Sequence, residues 1–242
     1  MNQILLEKND YHAERDVYLL KKNDPRFIHI QNVLKLDLRD QIKIGIVGLG
    51  QGMAEVTQIN ETFCELKVKT KTPTIMPYYQ LMVGICRPLS IKKILEHGTS
   101  LGVKKFHFVT TTLSDKSYLQ SKVLLPENCK EAMLKGLSQS SLYTELPEIK
   151  IWNDLEECLI FTEDIKHKFF LSLKSNHFFP LTPLQDQLPL LIALGPERGW
   201  TKGEEEKMHD KNFIPIKISA STLRVEIATF VALGQLELLR SH

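Results

Sequence analysis

The hydrophobic period of the chain changes near residue 72, and that change limits the fold more than any single motif. From Gln3 to about Lys71 the apolar residues come in short alternating segments: Ile4 to Glu7, Val17 to Lys21, Gln41 to Val47, Ala54 to Ile59 and Cys64 to Lys69. Alternation of this kind predicts half-buried strands of a small β-barrel. One interruption after Asp24 puts Phe27, Ile30 and Leu34 at helical spacing, with Asp24 as N-cap and Pro25 in the first turn, so a single helix is expected on the barrel. The run Thr70 to Pro77, rich in proline and threonine, reads as a boundary.

After Tyr79, strands alternate with helices, the signature of a mainly parallel sheet covered on both faces. Strands are expected at Leu81 to Ile85, Lys105 to Thr110, Lys168 to Leu173, Pro189 to Leu194 and Phe213 to Ile218. The first helix buries Ile91, Ile94, Leu95 and Leu101 and stops at Gly102. A second starts near Pro126 and buries Cys129, Ala132, Met133 and Leu137. The last begins near Thr222, with Leu223, Ile227, Phe230 and Val231 on one face. These readings divide the chain into residues 1–72 and 73–242.

Hydrophobic residues make up 43% and charged residues 25% of the 242, so a packed core is expected. The most apolar window, Leu188 to Leu194, is too short to cross a bilayer, and the N-terminus lacks the pattern of a secretory signal, which makes the cytoplasm the expected location. Cys64, Cys86, Cys129 and Cys158 lie far apart, without C-x-x-C or histidine spacing, so buried reduced thiols and no metal are expected. A net charge of +2 does not by itself announce a nucleic-acid binder.

Gly48, Gly50 and Gly52 lie between two β segments without the following helix of a dinucleotide site, so they read as a hairpin turn. P-loop, G-x-S-x-G and H-E-x-x-H patterns are absent. Two segments stand out, each directly after an apolar strand, where ligands bind in open α/β sheets. In Leu194-Gly-Pro-Glu-Arg-Gly-Trp-Thr201, Gly195 and Gly199 permit close backbone approach, and Thr201 with Glu204 forms a capping box. Ile218-Ser-Ala-Ser-Thr-Leu-Arg-Val-Glu226 offers small residues, then Arg224 and Glu226 at a helix start. Alone, the first reads more readily as an ordinary strand-to-helix turn than as a ligand loop, and the second reads as a solvated helix N-terminus.

Taken in order and spacing, the two segments resemble the SPOUT methyltransferases, most closely the family that methylates N3 of a uridine in 16S ribosomal RNA. That family has a G-P-E-G-G-like loop, a helix, then a strand ending in L-G-x-R-x-L-R-x-E-T-A. Gly195, Pro196, Glu197 and Gly199 match the first, and Leu223, Arg224, Glu226 and Ala228 the second. The family's R-V-L-R-like segment is similar to Asn32-Val-Leu-Lys35 after His29, and its E-L-G-V helix end to Ser100-Leu-Gly-Val103. Gln139 and Pro147-Glu-Ile149 resemble a further segment. Arg198 stands where the family has glycine, Val225 and Ile227 where it has threonines, and residues 219–221 where it has G-x-R.

The resemblance implies a PUA-like β-barrel followed by a trefoil-knotted α/β domain, a homodimer, and S-adenosyl-L-methionine as cofactor. It implies a cofactor site at Leu173, Leu194, Gly195, Pro196, Gly199, Ile218, Ser219, Ala220 and Leu223. Arg224 is then expected to stabilise charge developing on the uracil carbonyls, with Glu226 and Glu197 competing to accept the N3 proton. Ribosomal RNA is expected to meet Arg26, His29 and Lys35 in the first domain and Arg87, Lys92 and Lys93 in the second, chiefly through phosphates. A SPOUT ribose 2′-O-methyltransferase and an RNA-binding or assembly protein that kept the fold without the chemistry stand as the alternatives.

Overall fold

The computed structural model describes residues 3–178 and 189–240. The chain forms two compact units, one of Met1–Met76 with Leu137–Leu146, the other of Pro77–Gly136 with Pro147–His242. The return of residues 137–146 to the first unit has local causes. Gln3 Nε2 donates to the Leu137 carbonyl at 3.1 Å, Gly48 N–H to the Thr144 carbonyl at 3.0 Å, and Thr144 Oγ1 to Thr74 Oγ1 at 2.8 Å.

The first unit is built on strands β1 (Ile4–Leu6), β2 (Tyr11–His12), β3 (Val17–Lys21), β4 (Gln41–Ile46), β5 (Gly50–Ile59) and β6 (Phe63–Thr72). They form one curled sheet in the order β1-β4-β5-β6-β3-β2. Only β1 with β4 is parallel. Register shifts in β5 at Met53/Ala54 and Val56/Gln58 bend the ladder, as bulges do. Among the described residues, β1 and β2 do not pair with each other, so the ladder is open rather than closed. One face buries Ile4, Leu6, Leu20, Ile44, Val56 and Leu66 around Phe27 and Ile30.

Helix α1 (Pro25–His29) begins where the sequence predicts, with Asp24 accepting from the Arg26 N–H at 2.8 Å. It then widens into a π-type turn over Ile30–Leu34, closed by the Lys35 N–H on the Ile30 carbonyl. This extra residue per turn rotates Leu34 off the buried face, so Leu34 is exposed where helical spacing had put it in the core. Lys35 ends the turn in the left-handed region at φ 51°.

Arg26 departs from its expected role in phosphate contact, because its donors are committed inside the unit. Its guanidinium meets Asp10 at 2.6 Å, Asp24 at 2.5 Å and the Leu5 carbonyl at 2.7 Å. Burial would push the Asp24 carboxyl up, but the Arg26 guanidinium and N–H reverse this and hold it below its usual value. Arg26→Ala leaves two largely buried carboxylates facing each other. The expected loss is about 2–3 kcal/mol, the cost of breaking a buried pair discounted for partial exposure. Because the folded-state value of Asp24 is depressed, this stabilisation is full above the ordinary carboxylate range and fades as pH falls through the depressed value. Urea denaturation of both proteins at neutral pH and near pH 3 checks it: the gap between them should narrow in acid.

The second unit holds β7 (Tyr79–Gly84), β8 (Val103–Val109), β9 (Glu148–Trp152), β10 (His167–Leu171), β11 (Leu190–Leu194) and β12 (Ile214–Ile216). All their pairings are parallel, in the order β12-β10-β11-β7-β8-β9. Helices α2 (Pro88–Ser100), α3 (Pro126–Gln139), α4 (Leu155–Phe161), α5 (Lys202–Asp210) and α6 (Val225–Arg240) connect or flank them. A strand covered on both faces needs apolar residues throughout, and every residue of β11 is buried. Gly102, at φ 86°, stops α2 as predicted, and α3 buries Cys129, Ala132, Met133 and Leu137. All four cysteines are buried and unpaired, and burial pushes the Cys64 thiol up to about 11.

Helix α6 differs from its prediction. It buries Val225, Thr229, Ala232, Leu233 and Leu236, while Ile227 and Leu238 are exposed and Phe230 and Val231 half-buried. The helix is apolar nearly all round, so periodicity alone selected the wrong stripe. β9 and α4 are elements that the sequence reading did not include. His107 explains part of their packing: Trp152 Nε1 donates to its Nδ1 at 3.2 Å, leaving Nε2–H for Gln80 Oε1 at 3.0 Å. Burial first, then the Lys105 and Lys150 charges, lower this imidazole to about 4, so it sits neutral in the core.

Candidate active site

Strand order fixes where a ligand can enter the second unit. β7 and β11 are neighbours, yet the chain leaves β7 for β8 on one side and leaves β11 for β12 on the other. Connections that part in this way open a crevice at the carboxyl ends of the strands. A cleft of about 910 Å³ lies there, walled by the segments that follow β7, β10, β11 and β12.

The loop after β11 is shaped by glycines. The Gly199 N–H donates to the Pro196 carbonyl at 2.8 Å, closing a turn that Gly199 leaves at φ 73°. A Cβ on Gly195 would stand 2.8 Å from the Gly199 carbonyl carbon, and one on Gly84 would stand 2.5 Å from Pro196 Cδ. Bare glycines at the ends of β7 and β11 therefore let this loop fold flat across the sheet edge. Thr201 and Glu204 form the predicted capping box at α5, and the other Glu204 oxygen accepts from the Thr112 N–H at 2.7 Å. Burial opposes ionisation of Glu204, but these N–H donors outweigh it and lower its pKa.

Two carboxylates reach the cleft from different directions. Glu226, in the first turn of α6, is buried and accepts from Ser90 Oγ at 2.8 Å, with Lys93 Nζ at 3.8 Å. Burial pushes its carboxyl up. Its own N–H, the Ser90 hydroxyl and the Lys93 and Arg224 charges prevail and hold it below the usual range. Glu197 lies at the rim with its side chain 38% exposed, accepts from the Arg87 N–H at 2.8 Å, and so ties the β11 loop to the start of α2. Arg224 is exposed at the start of α6 and lines the same cleft.

Of the residues expected from the sequence, Leu173, Leu194, Gly195, Pro196, Gly199, Ile218, Ser219 and Leu223 come together on the cleft wall. Glu197, Arg224, Glu226, Arg87 and Lys93 join them. Ala220 is exposed on the same loop but does not line the cleft, and Lys92 points elsewhere on α2, near Glu131. His29, half-buried, and Lys35, exposed, belong to the first unit. Ser90, Leu171 and Tyr118 line the cleft and were not expected. Ser90 was within reach of the sequence, since β7 is also a strand end and the turn after it carries Arg87, Pro88 and Ser90. Among the described residues there is no cluster suited to a metal ion, and no helix is long and apolar enough to cross a membrane.

Known proteins resemble this chain in both fold and sequence. The family model described as RNA methyltransferase domain matches residues 76–237. Ribosomal RNA small subunit methyltransferase E 1 of Borreliella burgdorferi is 30% identical over 233 residues, covering 96% of this chain and 95% of that protein. Ribosomal RNA small subunit methyltransferase E of Treponema pallidum is 29% identical over 244 residues, covering 96% and 89%. Among solved structures, a ribosomal RNA small subunit methyltransferase E from Neisseria gonorrhoeae bound to S-adenosyl methionine superposes with a TM-score of 0.77 at 17% identity, over 98% of both chains. A Legionella pneumophila protein in complex with the same cofactor gives 0.73 at 16% identity, again over 98% of both chains. Fold and sequence agree: the chain belongs to the RNA methyltransferase domain family, alongside the ribosomal RNA small subunit methyltransferase E proteins of Borreliella burgdorferi and Treponema pallidum.

Proposed function

We propose that this protein methylates N3 of a uridine in 16S ribosomal RNA, using S-adenosyl-L-methionine held in the cleft between β7, β10, β11 and β12. The observation that carries the reading is the meeting of three strand-end loops with two carboxylates and Arg224 in one cleft, in a chain 30% identical over almost its whole length to a ribosomal RNA small subunit methyltransferase E. The cleft suits the cofactor. Its volume falls within the range of small-molecule sites, and Leu171, Leu173, Leu194, Ile216, Ile218 and Leu223 give it apolar walls. Glu226, kept ionised, complements a positively charged ligand.

When bound, the cofactor supplies a methyl on sulfonium, so that the N–CH3 bond forms as the S–CH3 bond breaks and its pair returns to a neutral thioether. The residues of the chain have three tasks around that exchange. The loops after β10, β11 and β12 orient the ligand and exclude water. Glu197, at the rim, receives the N3 proton, while Glu226 is held too firmly by Ser90 and Lys93 to serve as the base. Arg224 stabilises negative charge on the neighbouring carbonyl oxygens.

The finer architecture follows the same reading. Residues 73–242, apart from the 137–146 segment that returns to the first unit, form a SPOUT methyltransferase domain, and the strand order of its sheet, with β11 entering between β10 and β7, suits the trefoil knot. Residues 1–72 act as a PUA-like, barrel-related domain that holds RNA through His29 and Lys35. The exposed apolar residues Ile227 and Leu238 of α6 suit a homodimer, and 16S ribosomal RNA implies work in the cytoplasm. Calorimetric titration with S-adenosyl-L-methionine tests the reading against a binding protein that has lost the chemistry. Saturable binding at one site per chain is expected, and no heat of binding would leave only the assembly role.

A further inference from the structure

The cleft has a neighbour. A second cavity of about 320 Å³ opens at the ends of β7 and β8, and Arg87, Tyr118, Glu197 and Arg198 line both it and the cleft. Its remaining wall is residues 112–115. We infer that this cavity receives the uracil base to be methylated, with Tyr118 as its stacking surface and Arg198, which stands where the family has glycine, as a base contact added in this chain. The inference rests on the proposed transfer to uridine N3 and names where that base sits.

Four observations carry it. A methyl acceptor must lie against the cofactor, and this cavity shares four lining residues with the proposed cofactor cleft. Its volume is at the lower end of the range for ligand sites, suited to one base and its sugar. The loop is already fixed by its own hydrogen bonds. Thr111 Oγ1 meets Ser114 Oγ at 2.9 Å, the Thr112 N–H is taken by Glu204, and Asp115 Oδ1 accepts from Ser117 Oγ at 2.7 Å and from its N–H at 3.0 Å. Tyr118 and Arg198 are different. Among the described residues, neither the Tyr118 hydroxyl nor the Arg198 guanidinium has a hydrogen-bond or ion-pair partner, so both can turn to a ligand.

The chemistry of the wall matches one pyrimidine. The pairing edge of uracil offers two carbonyl acceptors on either side of the N3 donor. Guanidiniums of Arg87 and Arg198 supply donors for the carbonyls, and the Glu197 carboxylate supplies an acceptor for N3–H. Cytosine would turn its N4 amino group toward a guanidinium, donor against donor, and would have no N3 proton for Glu197. An extruded base also needs a planar face, which a half-buried tyrosine gives.

The test uses the full chain, S-adenosyl-L-methionine and small ribosomal subunits lacking the modification. Tyr118→Ala should lower kcat/KM for transfer by about 5- to 150-fold, the range for losing one base–aromatic stack. It should weaken cofactor binding far less, and Tyr118→Phe, which keeps the ring, should recover most of the loss. Arg198→Gly should cost about 5- to 150-fold in transfer, the worth of a bidentate base contact. In parallel, 16S RNA carrying sparse 4-thiouridine is irradiated with the wild-type protein, and crosslinked peptides are identified by mass spectrometry. Crosslinks within residues 112–120 or at Arg198 are the expected result. Crosslinks confined to other peptides, or transfer unchanged in both variants, would overturn the inference. A wild-type protein that methylates no uridine would sink the functional reading instead, and the crosslinks would still decide whether this cavity takes a uracil.

Discussion

Gly195→Ala is expected to lower affinity for S-adenosyl-L-methionine by about 10- to 100-fold while leaving the rest of the protein folded. The added Cβ would stand 2.8 Å from the carbonyl carbon of Gly199, 2.9 Å from its Cα and 3.2 Å from the Trp200 nitrogen. These are backbone atoms and cannot swing aside as a long side chain would. Overpacking of this kind costs about 1–3 kcal/mol, and the loop can relieve it only by lifting off the end of β11. That displacement is what the ligand feels, since the same loop supplies Leu194 to Gly199 to the cleft. The sequence suggests that a larger residue here would block the ligand directly; the structure assigns the first collision to the loop's own backbone. Gly203→Ala serves as the comparison, because a Cβ there meets nothing within 4 Å and α5 should gain slightly in stability. Calorimetric titration and thermal denaturation of both variants decide the matter. Wild-type affinity in a folded Gly195→Ala protein would remove this loop from the cofactor site.

Arg224→Ala should reduce turnover by about 100- to 1000-fold, the typical cost of removing a donor that acts on charge formed in the transition state. Cofactor affinity should change by much less, because the charge that Arg224 meets does not exist before transfer begins. A purely structural role would give the opposite pattern. The contacts of Glu226 argue against that role, since the carboxylate is held directly by Ser90 and Lys93, and Arg224 is the last of the influences on it. Thermal stability should therefore stay near that of the unaltered protein. Near-normal turnover with a lowered Tm would make Arg224 an orienting residue only.

Much of the site was legible because its residues are consecutive. Gly195 to Thr201 and Ile218 to Glu226 each follow an apolar strand, and a parallel sheet brings such strand ends to one edge, so the two contiguous motifs marked two of the cleft's four walls and the family resemblance added Leu173 on a third. The second cavity was not legible. Thr112 to Tyr118 carries no hydrophobic period, and one of the bonds that fix its shape comes from Glu204, 92 residues away from Thr112. The same holds for Arg26, which reads as a surface cation beside a proline until Asp10 and Asp24 converge on it. Leu34 was misplaced because a π-type turn breaks the 3.6-residue period without any proline or glycine to announce it. The face of α6 was misread because apolar residues surround the helix, and the packing of α2 and β11 against it selects the buried side.

Nucleoside mass spectrometry of 16S ribosomal RNA reads methyl transfer to a uridine base in small-subunit RNA. The RNA is taken from a strain lacking this protein and from the complemented strain. 3-Methyluridine should be lost in the first and restored in the second, with restoration failing for Arg224→Ala. Loss of a 2′-O-methylated nucleoside instead, or identical nucleoside profiles in the two strains, would contradict transfer to the base.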